Sequence, residues 1–215
     1  MKKAIIFDLD GTLWDSTIPV AECWTLVGRE IIDPEFKLDK EFLAAQMGKT
    51  MQEIKDNIQK SFNVGDKEIN AFADVCFQKE VEYLLSHPGS PYKDVEQTFL
   101  ELKENAYKVF ICSNCQKGYI ETFLNVIDKS LVDDYICFGD TLSPKYVSIS
   151  KIIERNCIDF AIYVGDTEKD KEAAEKAKID FIYANYGFGK LENCRHSISS
   201  LDELLPLIKQ YFEEK

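Results

Sequence analysis

Histidine is nearly absent from this chain of 215 residues: only His87 and His196 occur. Neither is a plausible general base, and neither has ligand-like spacing to a cysteine pair. No G-x-S-x-G elbow is present. The one Gly48-Lys49-Thr50 run is not a phosphate-binding P-loop, because Leu43 stands where that loop's first glycine would fall. No stretch approaches the roughly 18 apolar residues of a membrane span. Repeats and low-complexity linkers are also missing. Met1-Lys2-Lys3 runs straight into a short apolar segment without an export-type apolar core or small-residue cleavage site, so a cytoplasmic location is expected. Positive charge is in deficit, with 26 Lys and Arg against 38 Asp and Glu, a net charge of −12. That argues against nucleic acid or an anionic membrane as partner, both of which need clustered cations. An anionic small molecule stays open if a local lysine or a metal ion offsets the acidic background. The sequence says nothing about oligomeric state.

Seven cysteines, an odd number at irregular spacing, read as reduced and mostly buried thiols. Cys112-Ser113-Asn114-Cys115 has no second C-x-x-C to complete a zinc site. It reads as thiols flanking Ser113 and Asn114, with a thiol redox protein built on Cys112 and Cys115 as the alternative from a different class.

What is present points to one sizeable domain or a core with a smaller insertion. The run Lys3-Ala4-Ile5-Ile6-Phe7, followed by Asp8-Leu9-Asp10-Gly11-Thr12, reads as a buried strand of a parallel sheet ending in two aspartates. Side chains two apart on an extended chain point the same way, so Asp8 and Asp10 can face one pocket beyond the sheet. From 16 to 88 the pattern is helical throughout. Val20, Cys23, Trp24, Val27 and Ile31 recur at helical spacing, then Phe42, Leu43 and Met47, then Met51, Ile54 and Ile58, then Ile69, Phe72, Ala73, Cys76, Tyr83 and Leu84. The breakers His87-Pro88-Gly89-Ser90-Pro91 close this region.

From Val95 helices and strands alternate. The expected strands are Lys108–Cys112, Tyr135–Phe138, Phe160–Val164 and Phe181–Ala184. The expected helices carry Tyr119 through Ile127, Tyr146 through Arg155, Ala173 through Ala177 and Leu201 through Ile208. The alternation predicts an α/β fold with a doubly wound parallel sheet, residues 1–15 and 89–215, and an all-helical cap, residues 16–88, inserted after the first strand.

The polar residues gather where the strands end: Asp8 and Asp10, Ser113 and Asn114, Gly165 and Asp166, with Asp170 one helical turn on. Ligands of open α/β sheets bind at that edge. Converging carboxylates need a cation between them, and their hard oxygens favour Mg²⁺, which in turn favours a phosphate partner. Without a histidine base or a serine elbow, a carboxylate is left as nucleophile, and its attack on phosphorus would give an acyl phosphate. A second aspartate can serve as acid and then base, Lys145 can offset charge on the phosphoryl group, and Ser113 can donate to its oxygens. Tyr186-Gly187-Phe188-Gly189 is a turn by composition with no ligand assigned, and Trp14 and Trp24 read as core or domain-interface residues.

Asp8-Leu9-Asp10-Gly11-Thr12, Ser113-Asn114, Lys145 and Gly165-Asp166-x-x-x-Asp170 resemble, in order and spacing, the four motifs of the haloacid dehalogenase-like hydrolase superfamily, and the helical insertion resembles its phosphoglycolate phosphatase-like branch. The resemblance implies a Mg²⁺-dependent phosphatase for a small phosphate monoester. Asp8 would be nucleophile and metal ligand, Asp10 general acid and base and a ligand through its main-chain carbonyl, Asp166 a ligand, and Asp170 a ligand or its support. Gly11, Thr12, Ser113, Asn114 and Lys145 would hold the phosphoryl group. The third motif departs from the usual Lys-Pro-x-Pro, reading Ser143-Pro144-Lys145-Tyr146-Val147, so Lys151 is the alternative lysine. A phosphomutase on the same scaffold is the nearest rival activity.

Overall fold

The N-terminal apolar run forms β1 (Lys3–Phe7), with Ala4, Ile5, Ile6 and Phe7 fully buried. A strand covered on both faces shows no polar alternation. The computed structural model describes residues 1–213. The chain divides into two compact units, Met1–Trp14 with the chain from Pro91 onward, and Asp15–Ser90. The first crossing between them is β2 (Trp14–Asp15).

The inserted unit is helical: α1 (Thr17–Ile31), α2 (Lys40–Ala44), α3 (Met51–Phe62) and α4 (Asp66–Ser86). Its apolar spacing becomes packing, with Trp24 of α1 meeting Phe72 of α4 edge to face at 6.0 Å. The Trp24 indole donates to Glu80 at 2.6 Å, which gives that buried carboxylate the partner it needs. Thr50 and Glu53 form a capping box at the start of α3, and Asn63 ends the helix in the left-handed conformation. The chain returns through β3 (Ser90–Pro91).

The larger unit continues with α5 (Val95–Glu104), β4 (Tyr107–Ser113), α6 (Tyr119–Leu124), β5 (Asp134–Cys137), α7 (Phe138–Thr141) and α8 (Lys145–Arg155). It finishes with β6 (Phe160–Gly165), α9 (Glu168–Ala177), β7 (Asp180–Ala184), β8 (Ser197–Ile198) and α10 (Leu204–Glu213). The sheet order is β5-β4-β1-β6-β7-β8, and every neighbouring pair runs parallel. Helices cover both faces. Ile6 joins Phe110, Ile149, Ile152, Ala173 and Ala174 of β4, α8 and α9, whereas Phe7 meets Phe99 of α5 at 5.2 Å. The chain runs from β1 outward to β4 and β5, then crosses back to β6. Strand order therefore reverses beside β1, and its C-terminal end opens on the crevice where such sheets bind ligands.

Two expected boundaries shift for local reasons. The strand expected to include Phe138 stops at Cys137, because the Asp140 carboxylate accepts from the Cys137 N–H at 3.1 Å and turns the chain into α7. The helix expected to reach Ile127 ends at Leu124, where the Asn125 N–H is shared between the carbonyls of Glu121 and Thr122. The short edge strand β8 has no counterpart in the sequence pattern.

Asp133 fastens the β4 side of this sheet. Its carboxylate accepts from the Val109 N–H at 2.9 Å, Lys108 at 2.8 Å and Lys103 at 3.2 Å. Burial pushes the carboxyl up, but these donors outweigh it and hold it below its ordinary value. A depressed folded value contributes stability above the unfolded value and loses it as pH falls through the folded one. Asp133→Asn is therefore expected to cost about 1–3 kcal/mol at neutral pH. Urea unfolding of both proteins from pH 7 down to pH 3 should show that gap narrowing below about pH 4.

Candidate active site

Asp8 is the first residue past β1, and its N–H donates to the Val164 carbonyl of β6 at 2.8 Å, continuing the ladder by one bond. Its carboxylate thereby enters the crevice almost without solvent, at 4% exposure. The chain then folds tightly on itself: Leu13 N–H donates to the Leu9 carbonyl at 2.8 Å and Gly11 N–H to the Trp14 carbonyl at 3.0 Å. Gly11 has φ of +81°, and a Cβ there would overlap the Asp166 carboxylate and the Phe188 ring. Only glycine meets both demands.

Three further elements bring charge to Asp8. Asp166 follows β6, and its Oδ2 accepts from the main-chain N–H groups of Phe188 at 2.7 Å and Gly189 at 3.2 Å. Asp170 lies in the first turn of α9, where it closes a capping box with Thr167. Lys145 opens α8, and its ammonium donates to Asp8 Oδ1 at 2.8 Å and Asp170 Oδ1 at 2.6 Å. The helix expected from Tyr146 thus starts one residue earlier, on the lysine itself, whereas Lys151, one and a half turns later, is exposed.

The electrostatics follow from burial. Desolvation and the charge of Asp170 push the Asp8 carboxyl well above the ordinary carboxylate range, with Lys145 pulling the other way. Desolvation and Asp170 likewise raise Asp166 to about 7, against the pull of the two N–H donors. Burial disfavours charge on Lys145, but Asp170 and Asp8 outweigh it and keep the ammonium protonated. Asp8, Asp166 and Asp170 offer carboxylate oxygens within 4.8 Å of one another, the one such group among the described residues. Three carboxylates facing one ammonium leave an excess of buried negative charge on hard oxygen donors, a set that fits Mg²⁺.

The remaining expected residues lie around this group in different states. Asp10 does not contribute its carboxylate to it, because Oδ1 accepts from the Trp14 indole at 2.9 Å and the Tyr119 hydroxyl at 3.0 Å. Thr12 is fully buried, with its hydroxyl 3.5 Å from Asp166 Oδ1 and its carbonyl taken by the Tyr186 hydroxyl at 2.8 Å. Ser113 ends β4, and its Oγ accepts from the Cys115 N–H at 3.4 Å, while Asn114 beside it is half-buried.

The turn at Tyr186-Gly187-Phe188-Gly189, to which the sequence assigns no ligand, holds Asp166. Its donors are main-chain, so no side-chain motif announces them; the trace is Gly187, where a Cβ would strike Asp166 and the Gly11 carbonyl. Neither thiol of the Cys112/Cys115 pair is activated. Cys112 is fully buried and pushed up to about 12 by burial, and burial also raises Cys115, whose thiol hydrogen-bonds to that of Cys137 on β5. All seven cysteines are free. No described helix is long and apolar enough to cross a membrane.

Known proteins resemble this chain in both fold and sequence. A structure of a "predicted phosphoglycolate phosphatase" from Haemophilus somnus superposes with a TM-score of 0.82 over 96% of this chain and 98% of its own, at 18% identity. A haloacid dehalogenase-like family hydrolase from Streptococcus pneumoniae gives 0.79 over 96% and 98%, again at 18% identity. Two proteins called phosphoglycolate phosphatase are similar along most of their length. The Aquifex aeolicus protein is 26% identical over 196 residues, 89% of this chain and 88% of that one, and the Colwellia psychrerythraea protein 23% over 200 residues, 87% and 86%. The family model for haloacid dehalogenase-like hydrolases matches residues 5–184, a span that begins inside β1 and ends with β7. Every carboxylate and the lysine of the crevice fall within that match, and the chain belongs to the haloacid dehalogenase-like hydrolases.

Proposed function

We propose that this chain is a Mg²⁺-dependent phosphatase that hydrolyses a small phosphate monoester, of phosphoglycolate or sugar phosphate type, through an aspartyl phosphate on Asp8. The observation that carries the reading is a buried carboxylate at the reversal of strand order, paired with Lys145 at 2.8 Å and grouped with Asp166 and Asp170. The naming of the two curated relatives as phosphoglycolate phosphatases supports the substrate class.

Asp8, Asp166 and the main-chain carbonyl of Asp10 would hold the ion. Asp170 supports the site, since Lys145 and Thr167 already donate to both of its oxygens. When bound, Mg²⁺ keeps the carboxylates ionised and withdraws charge from the phosphoryl oxygens. The Asp8 carboxylate attacks phosphorus as the ester bond breaks, and Asp10 gives its proton to the departing alkoxide. Asp10, now ionised, takes a proton from the water that attacks the acyl phosphate, releasing phosphate and restoring Asp8. Lys145 offsets charge on the transferring group, and the Gly11 and Thr12 loop with Ser113 and Asn114 binds its oxygens.

Asp8→Asn should lower phosphate release from phosphoglycolate or an aryl phosphate by about 10³-fold or more. Acid-quenched wild-type protein incubated with ³²P-labelled substrate should carry label that hydroxylamine removes, and the variant should carry none. Release that survives in Asp8→Asn would refute the mechanism. Chelation should abolish turnover, and Mg²⁺ should restore it. In the absence of substrate, Mg²⁺ at about 100 times its Kd should stabilise the protein by about 2.7 kcal/mol, read as a rise in melting temperature. Melting temperature and turnover that both ignore chelator would rule out the metal.

A further inference from the structure

Strands β4 and β5 end side by side, with Ser113 paired opposite Cys137. The segments that follow them stay in contact. The Gly139 N–H donates to the Cys115 carbonyl at 3.1 Å, and a Cβ on Gly139 would lie 2.2 Å from the Lys117 nitrogen. Inside this main-chain contact the Cys115 thiol hydrogen-bonds to that of Cys137. Cys137 is tied down at two points, since its N–H at 3.1 Å and its sulfur at 3.2 Å both donate to Asp140 Oδ2. Cys115 stands half-buried in the turn between β4 and α6, and its N–H donates to Ser113 Oγ at 3.4 Å.

We propose that Cys115 and Cys137 form a reversible disulfide that disables the phosphoryl-binding turn at Ser113-Asn114. The bond itself rests on the meeting of the two thiols; its effect on turnover rests on the phosphatase reading, in which Ser113 and Asn114 bind the transferring group. The oxidant is a hydroperoxide. The Cys137 sulfur forms an S–O bond as the O–O bond breaks, giving a sulfenic acid, and the displaced oxygen leaves as water or an alcohol with the thiol proton. The Cys115 sulfur then attacks the sulfenic sulfur, and the displaced hydroxide leaves as water with the Cys115 proton. Two thiols lose two electrons in all, and the peroxide gains them. Cys137 reacts first because donation from Cys115 draws its thiol below the ordinary value, against burial and the Asp140 carboxylate. Joined sulfurs lie about 2 Å apart, closer than hydrogen-bonded ones. Asp140 holds Cys137, so the closure falls on Cys115 and on the Ser113 hydroxyl that its N–H serves.

The test treats the reduced full chain with hydrogen peroxide, removes the excess, and follows Mg²⁺-dependent release from para-nitrophenyl phosphate alongside mass spectrometry of peptides prepared without reductant. The wild type should yield a peptide pair joined through Cys115 and Cys137. It should lose about tenfold or more in kcat/KM and recover with dithiothreitol. Cys137→Ser lies outside the phosphoryl-binding turn, so it should keep the turnover of the reduced wild type, form no such pair and resist peroxide. Cys115→Ser should resist peroxide likewise, and it replaces Cys137→Ser if that variant does not fold; the wild-type peptides decide the bond without either. Cys157→Ser, at the exposed cysteine, should stay as sensitive as the wild type. No joined pair, a different pair, or cysteine acids that dithiothreitol does not reverse overturn the disulfide. A bond between Cys115 and Cys137 with unchanged turnover overturns its control of the site, as does an equal peroxide loss in Cys137→Ser. Reduced wild type that releases no phosphate with Mg²⁺ overturns the phosphatase reading and the control together, and the joined peptides alone then judge the bond.

Discussion

A lysine buried among carboxylates sets the terms for the rest of this molecule. Lys145 lies between Asp8 and Asp170, at 2.8 and 2.6 Å, in a place that water barely reaches. Charges removed from water are costly, and removing one partner of such a pair typically costs about 3–5 kcal/mol, because the other is left uncompensated. Here the balance is incomplete even with the lysine present, since Asp166 adds a third buried carboxylate. The same deficit that makes the site a poor contributor to stability is one that the proposed divalent cation would offset.

Such a cluster can exist only on a rigid frame, and each member is supplied by a different element. Asp8 is tied to β6 by its own main chain, Asp166 by two N–H groups, Asp170 by its capping box and Lys145 by the first turn of α8. The capping box is economical in its chemistry. One oxygen of Asp170 satisfies the helix start while the other takes the ammonium, so local helix formation and long-range ion pairing fix the same side chain.

Much of this was legible in the sequence because the signals were of kinds that sequence carries. β1 is an unbroken apolar run, the helices of the inserted unit show regular spacing, and the aspartates stand immediately after strands. Lys145 is a different case, since nothing near it in the chain reveals that its ammonium ends between residues 137 and 25 positions away. Trp14 reads as a core or domain-interface residue and Tyr119 as one position of a helix, and both are buried; that their polar atoms meet on Asp10 depends on the loop bringing Trp14 back and on α6 starting where it does. The early end of β5 at Cys137 depended on one carboxylate, Asp140, taking the N–H of that last strand residue.

The turn around Phe188 and Gly189 restrains Asp166 through main-chain hydrogens alone. Such a restraint is blind to side-chain identity: residue 188 can change among most amino acids and still present its N–H, whereas proline there would delete the donor. Position 188 is therefore strict as backbone and permissive as a letter, whereas Gly187 and Gly189 on either side are fixed as letters too, since a Cβ at either would strike Asp166. A substitution scan would find the site's dependence on residue 188 chiefly at proline, and on residues 187 and 189 at any side chain.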